Sequence, residues 1–292
     1  MKWHILLLFG VFLVAVGMVV RSEHREIDNG HPLILGIFPR FHPAIVNDSF
    51  TPLAKYLSRE LGRRVRLEVS TDFEDFWQKL RSNRFDIVHY NQYHYIRSHK
   101  ERGYQVIAMN EEQGRHTMTA AIVVRKDSPV KTIRDLQGKR ILFGGSQQAM
   151  ISYIYATYLL REAGLRKGDY EERFEVNPPT AVVATYHGLW DAAAAGTGDI
   201  ALKQPVIKKQ IDTSGMRYLA VGKQFSNIPW AVKGGMDNTL KRQIKRALLQ
   251  LKTVKDGRRI LKKAKISGIV SAKDSDFDPH RRITRMVLNE NY

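Results

Sequence analysis

The sequence predicts a two-lobed α/β protein whose two sheets face each other across a cleft. Three observations carry this expectation. Strand-like and helix-like stretches alternate from Pro32 onward. The alternation runs through once, reaches a long apolar stretch at 119–125, and then begins again. Two long segments, 118–126 and 216–233, are placed to link the two runs. Strands separated by helices imply parallel pairing with right-handed crossovers. Ligands in such sheets bind beyond the carboxyl ends of the strands. With two lobes those ends face each other, and the cleft closes by a hinge. The length of 292 residues is sufficient for two cores, and 43% apolar with 26% charged residues is the composition of a folded globular chain.

The elements follow in order. Residues 33–38 read as a strand. Thr51-Pro52 reads as a helix start, with Leu53, Leu57 and Leu61 on one face and Gly62 as the stop. Val65, Leu67 and Val69 alternate as a strand does. Thr71 and Glu74 have capping-box spacing, and Phe73, Phe76, Trp77 and Leu80 follow with helical periodicity. A third strand is expected at 85–88, a short helix at 93–100 and a strand at 106–109. In the second run, 132–136 is a helical turn closed by Gly138, 140–143 a strand and 148–163 a helix. Thr180 caps a helix to about Ala195, and strands are expected at 199–202 and 217–221. Asp237 caps an amphipathic helix with Leu240, Ile244, Leu248 and Leu251 on its apolar face.

Near the N-terminus, Lys2 precedes an unbroken apolar or Gly run, Ile5 to Val20, that Arg21 ends. Its length lies between that of a signal-peptide core and that of a membrane span. Residues 1–25 therefore read as a signal peptide or a signal-anchor helix. Cleavage after Gly17, with Ala15 at −3, would use a poor site. Both readings put the rest of the chain outside the cytoplasm and argue against nucleic acid as a partner, despite 47 Lys and Arg against 29 Asp and Glu. The net charge of +18 favours an anionic partner instead. More than half of that excess lies in residues 240–265, with eleven Lys or Arg and one acid, Asp256. This stretch reads as a solvated face over a packed stripe, with anionic lipid or cell wall as its alternative ligand. The absence of cysteine excludes a disulfide scaffold, a thiolate nucleophile and a lipidated N-terminal cysteine.

Candidate binding residues lie where strands end. Gly144 to Gln148 joins a strand to a helix. Its glycines let the backbone approach a ligand, and Ser146, Gln147 and Gln148 offer hydroxyl and amide donors. The run His89 to His94 follows an apolar strand, and Tyr90, Asn91 and Tyr93 are its favoured contacts. His89 and His94 lack a third ligand at metal-site spacing, so no metal and no cofactor are expected. Phe38 and Arg40 follow the first strand, and Arg40 offers a fork to an oxyanion. Lys203 supplies a second cation. The chain has no G-x-S-x-G, no H-E-x-x-H and no dinucleotide fingerprint, so no enzyme is expected.

Several stretches, in this order, resemble the phosphonate/phosphite/phosphate-binding subfamily of ABC-transporter periplasmic binding proteins: LGIFPRF (35–41), FTPLAKYLSRELGRRV (50–65), FDIVHYNQYHYIRS (85–98), TAAIVVRKDSPVKTIRDLQGKRILF (119–143), GTGDIAL (196–202) and SAKDSDFDPHRRI (271–283). The resemblance implies the two-lobed periplasmic-binding-protein type II fold, with a hinge of two crossing strands. Lobe 1 would be 31–118 plus 222–292, and lobe 2 would be 119–221. It further implies capture of a small oxyanion for an ABC permease. A membrane-tethered sensor of the same fold is the alternative. It adds Tyr186 or His187, near where the family often has a ligand-contacting His. The family's Ser-Thr pair after the strand at 140–143 is replaced here by Gly144-Gly145-Ser146-Gln147-Gln148.

Overall fold

The computed structural model describes residues 28–39, 42–196 and 198–292. The apolar run Ile5–Val20 and the candidate Arg40 lie outside the described residues.

The first run builds strands β1 (Asp28–Ile37), β2 (Arg63–Val69), β3 (Ile87–His89) and β4 (Gln105–Glu111) with helices α1 (Pro43–Leu61), α2 (Phe73–Arg81) and α3 (Gln92–Arg102). A short strand, β5 (Thr117–Met118), leads into the second run. This contains β6 (Ala121–Arg125), β7 (Arg140–Gly144), a π-helical stretch at Met150–Tyr155, α4 (Ala156–Glu162), β8 (Glu171–Glu175), α5 (Pro178–Tyr186), β9 (Ala192–Ala195), α6 (Pro205–Lys208) and β10 (Met216–Val221). The chain returns through β11 (Phe225–Ser226) to β12 (Pro229–Val232), α7 (Asn238–Leu249), α8 (Gly257–Lys263), β13 (Gly268–Ser271) and α9 (Asp278–Leu288).

Two mixed sheets result, ordered β13-β4-β12-β3-β1-β2 and β10-β6-β9-β7-β8. The β1–β3 and β7–β9 cores are parallel, as helix-linked strands must be. The expectation of wholly parallel sheets needs correcting. Strands β12 and β13 run antiparallel to their partners in the first sheet, and β6 and β10 do so in the second, because the linking segments re-enter each sheet from the hinge side. The two crossings are β5 and β11, which pair with each other. Both faces of both sheets are covered. Val46, Phe50, Leu53 and Leu57 of α1 pack on the first sheet with α7 and α8, and Phe76, Trp77 and Leu80 of α2 cover its other face. Helix α9 reaches across, placing Ile283 and Val287 in the core of the second unit while Tyr95 and Arg281 both bond Asp274.

Local signals moved in instructive ways. Helix α1 begins at Pro43, so Pro52 lies inside it, and it ends at Gly62 with φ 60°. At α2 the reciprocal capping is one residue later than expected: the Asp72 carboxylate accepts from Asp75 N–H, and that of Asp75 from Thr71 N–H. The cap of α5 is Asn177, not Thr180. The alanines at 192–195, expected as the end of a helix, form the central strand β9. Their small side chains are fully buried between β6 and β7, and burial outweighs the helix preference of alanine. The strand expected at 199–202 is a 3₁₀ turn, Gly198–Lys203. Edge strand β8, with the sequence Glu-Glu-Arg-Phe-Glu, lacks an apolar signal.

One buried polar cluster pins the first sheet. Asn110 Oδ1 accepts from Trp230 Nε1 at 2.8 Å and from His89 Nε2 at 3.1 Å, while the two rings stack at 4.2 Å. Asn110→Ala strips both donors of their acceptor and is expected to lower stability by about 2 kcal/mol, measured by urea unfolding.

Candidate functional site

The carboxyl ends of β1, β3, β7, β8 and β9 define the cleft walls. On the first wall, Phe38 N–H bonds His89 O at 2.9 Å, which ties the end of β1 to the end of β3. Asn91 then caps α3. On the second wall, Gly145 N–H bonds Glu175 O at 2.7 Å and fastens the turn after β7 to the end of β8. Gly144 is required there: a Cβ would lie 2.2 Å from Pro178 N and 2.6 Å from Asn177 C. Gly145 has φ +96°, which glycine adopts without strain.

The walls meet where Asn91 Nδ2 donates to the main-chain oxygen of Gln148 at 3.0 Å. This contact fixes the Asn91 amide, so its Oδ1 must accept both His94 N–H at 2.9 Å and His94 Nδ1 at 2.7 Å. His94 therefore carries its proton on Nδ1 and leaves Nε2 as a bare acceptor. The ring stacks on Phe73 at 5.5 Å and is buried. Burial, aided by the Arg97 charge, pushes its pKa down to about 3, so it is neutral. The Gln148 side chain approaches the ring as a hydrogen-bonding neighbour and partly offsets this shift. Even so, no group among the described residues meets Nε2 at hydrogen-bond geometry. At the end of β2, the buried Ser70 Oγ is also without a partner among the described residues.

Of the residues expected from sequence, Asn91, Ser146, Gln147 and Gln148 gather at this seam. The Ser146 hydroxyl accepts from Gln148 N–H at 3.2 Å, Gln148 is half-buried and Gln147 is exposed. Phe38 is buried at the end of β1 against Phe73 and His89. Other expected contacts lie elsewhere. Tyr90 alternates into the core, with its hydroxyl 2.9 Å from Ser98 Oγ and no exposure. Tyr93 points along α3 to the chain end, donating to Glu290 at 2.9 Å. Tyr186 and His187 are at the wrong end of α5. That helix starts at the cleft with Asn177 and Pro178, so its last residues reach the far edge, where Tyr186 lies against Gly215. Lys203 is exposed at the end of the 3₁₀ turn, with no bond to a cleft group among the described residues. Ser70 and His94, with buried polar atoms unpartnered among the described residues, were not singled out from the sequence. Ser70 sits in the β2–α2 connection, and His94 lies in the first turn of α3, just after the Asn91 cap.

A second link spans the units beside the hinge. Arg115, in the turn before β5, forms a two-pronged pair with Asp199 after β9, at 2.9 and 3.3 Å. The guanidinium holds the Asp199 carboxyl below its ordinary range.

A family model described as ABC transporter, phosphonate, periplasmic substrate-binding protein matches residues 35–277. The chain belongs to this family. As a member it is a periplasmic solute-capturing component of an ABC transporter, with a small solute as ligand and an ABC permease as partner. The family is a transport class, not an enzyme class. The chain's fold is similar to that of PhnD1 from Prochlorococcus marinus in complex with methylphosphonate (TM-score 0.74, 17% identity, 88% of this chain and 98% of that one). It is also similar to XAC2383 from Xanthomonas citri bound to ATP (0.73, 17%, 88% and 97%). A third similar structure is a binding protein component of an ABC phosphonate transporter from Pseudomonas aeruginosa (0.73, 13%, 88% and 87%).

Proposed function

We propose that this family member captures a small phosphorus oxyanion, phosphonate-like and singly protonated, between two lobes made of residues 31–118 with 222–292 and residues 119–221. The observation that carries this reading is the Asn91–Gln148 seam with the neutral His94 ring beside it, whose Nε2 no group among the described residues meets at good hydrogen-bond geometry. Donors suited to the anionic oxygens lie at the seam: the Ser146 hydroxyl, the Gln147 and Gln148 amides, and the main-chain N–H groups of Ser146 and Gln147; the buried Ser70 hydroxyl at the end of β2 is a further candidate. Arg40, two residues after Phe38, supplies the cation. A bare imidazole nitrogen buried among them calls for a donor, and a P–OH group is one. Closure removes water and strengthens each charge-assisted bond.

Calorimetric titration of the full chain tests this. Methylphosphonate is expected to bind at least about tenfold more tightly than sulfate, which carries no proton near neutral pH, since a lost hydrogen bond to a buried group costs roughly 1–3 kcal/mol. Binding should weaken as the ligand loses its last proton. Equal affinity for both anions, unchanged in His94→Phe, would remove His94 from the site.

The unbroken run Ile5–Val20 favours a second reading, a chain left tethered to the membrane that signals to a membrane partner. The intact mass of the exported protein separates the two: removal of the run supports a free receptor, and its retention a tethered one.

A further inference from the structure

We propose that the α7–α8 flank is a docking surface for an anionic phospholipid bilayer, separate from the cleft. The apolar stripe of this segment does pack: Ile244, Ala247, Leu248, Leu251, Ile260 and Leu261 are buried in the first core. Packing leaves the charges outside. Across residues 240–265 there are eleven Lys or Arg against Asp256, whereas residues 119–221, a stretch four times as long, hold fourteen against ten acids. The charge is therefore a property of this flank and not of the whole surface.

Few of these cations are neutralised. Lys252 pairs with Glu111, Arg259 with Asp256 at 3.5 Å and Lys263 with Asp48 at 2.8 Å. Arg246, Lys255, Arg258 and Lys262 are exposed and have no carboxylate at ion-pair distance among the described residues. An open groove beside α8 has Lys252, Lys255, Arg258 and Arg259 on its walls against Asp256 alone. Like charges held this close repel one another unless an anion lies among them.

The compartment and the chain's own layout select the anion. A periplasmic component that delivers solute to an ABC permease must approach the bilayer in which that permease sits. The flank runs along the first sheet. Helix α7 follows β12, whose last residue pairs with the first of β3, and α8 lies by the opposite end, where Lys252 holds Glu111 at the end of β4 and Lys263 holds Asp48 early in α1. The surface thus extends from the end where β1 begins toward the cleft end. Only residues 21–27 separate β1 from the apolar run Ile5–Val20. Lipid phosphates suit several separate cations better than one small ligand does. Each Lys or Arg at an anionic bilayer strengthens attachment about fivefold, the equivalent of about 1 kcal/mol.

Lysine footprinting of the full chain on nanodiscs tests the surface. Discs of phosphatidylcholine are compared with discs that also contain phosphatidylglycerol. Lys252, Lys255 and Lys262 are expected to react at least about fivefold more slowly on the anionic discs. Lys139 in the second unit should be unaffected, and high salt should erase the difference. The triple variant Lys255→Glu, Arg258→Glu, Lys262→Glu should lose the protection at Lys252 while capturing solute normally. Equal labelling on both discs overturns the proposal. So does protection that appears only when the permease is added to zwitterionic discs, which would assign the flank to a protein partner. Soluble glycerol phosphate giving the same protection without discs would assign it to a free phosphate and likewise overturn the bilayer.

Discussion

Taking the protein from about pH 7 to about pH 5 is expected to lower its unfolding free energy by about 4 kcal/mol. Two imidazoles produce this effect. His94 is neutral at the seam, and burial pushes its pKa down to about 3. His280 is fully buried at the base of α9, where its Nε2 faces Ser226 O at 3.0 Å and its Nδ1 has no partner among the described residues. Burial, with the Arg281 charge, brings its pKa down to about 4. In the unfolded chain both titrate near 6.5. Below that value the unfolded state binds two protons that the folded state refuses, so stability falls as pH falls. The fall continues until the folded values near 4 and 3 are passed. The carboxylates act in another window. Asp199 is depressed by Arg115. Burial opposes the same shift at Asp274, but Tyr95 and Arg281 bonds prevail. Their contributions are intact above about pH 4 and are lost only below it. Urea unfolding across this range should show the decline, and His94→Gln or His280→Gln should each remove about half of it. A flat profile between pH 7 and 5 would mean that the rings are solvated.

The second large effect is at Gly144. In Gly144→Ala the added methyl meets main-chain atoms of Asn177 and Pro178 at 2.2–2.6 Å, and backbone cannot rotate away as a side chain can. Strand β7 and the start of α5 must separate, at a cost of about 3 kcal/mol or more. The same displacement moves the 145–149 turn, so binding should weaken at least tenfold even below the unfolding temperature. Gly138→Ala, at a turn with φ +68° and nothing within 4 Å, is the contrast: strain alone, with binding preserved. Thermal unfolding and calorimetric titration of both variants measure the difference.

Much of this arrangement was legible in the residues. The double run of strand and helix, the hinge segments and the glycine turn after β7 all follow from local pattern, because apolar period and glycine both report backbone geometry directly. The Ala192–Ala195 strand was not legible, since its identity depends on two neighbouring strands that leave no room for larger side chains. Strand β8 was hidden because an edge strand needs little apolar surface. Among the expected site residues, Asn91 and Gln148 meet at the seam because both flank strand ends. Tyr90 neighbours Asn91, but a one-residue step turns a side chain from cleft to core, and Tyr93 falls on the face of α3 that meets the chain end; sequence states neither phase. Tyr186 and His187 lie away from the seam for a different reason: the direction of α5 places its first turn, not its last, near it.

The central claim is that the two units close on a small solute, and a distance measurement tests it most directly. The chain has no cysteine, so spin labels at Lys55→Cys on α1 and Lys139→Cys before β7 report one defined separation. Saturating methylphosphonate is expected to move the distance distribution to a single shorter value, and Gly144→Ala should prevent that shift. An identical distribution with and without methylphosphonate, phosphite, phosphate and sulfate would contradict capture by closure.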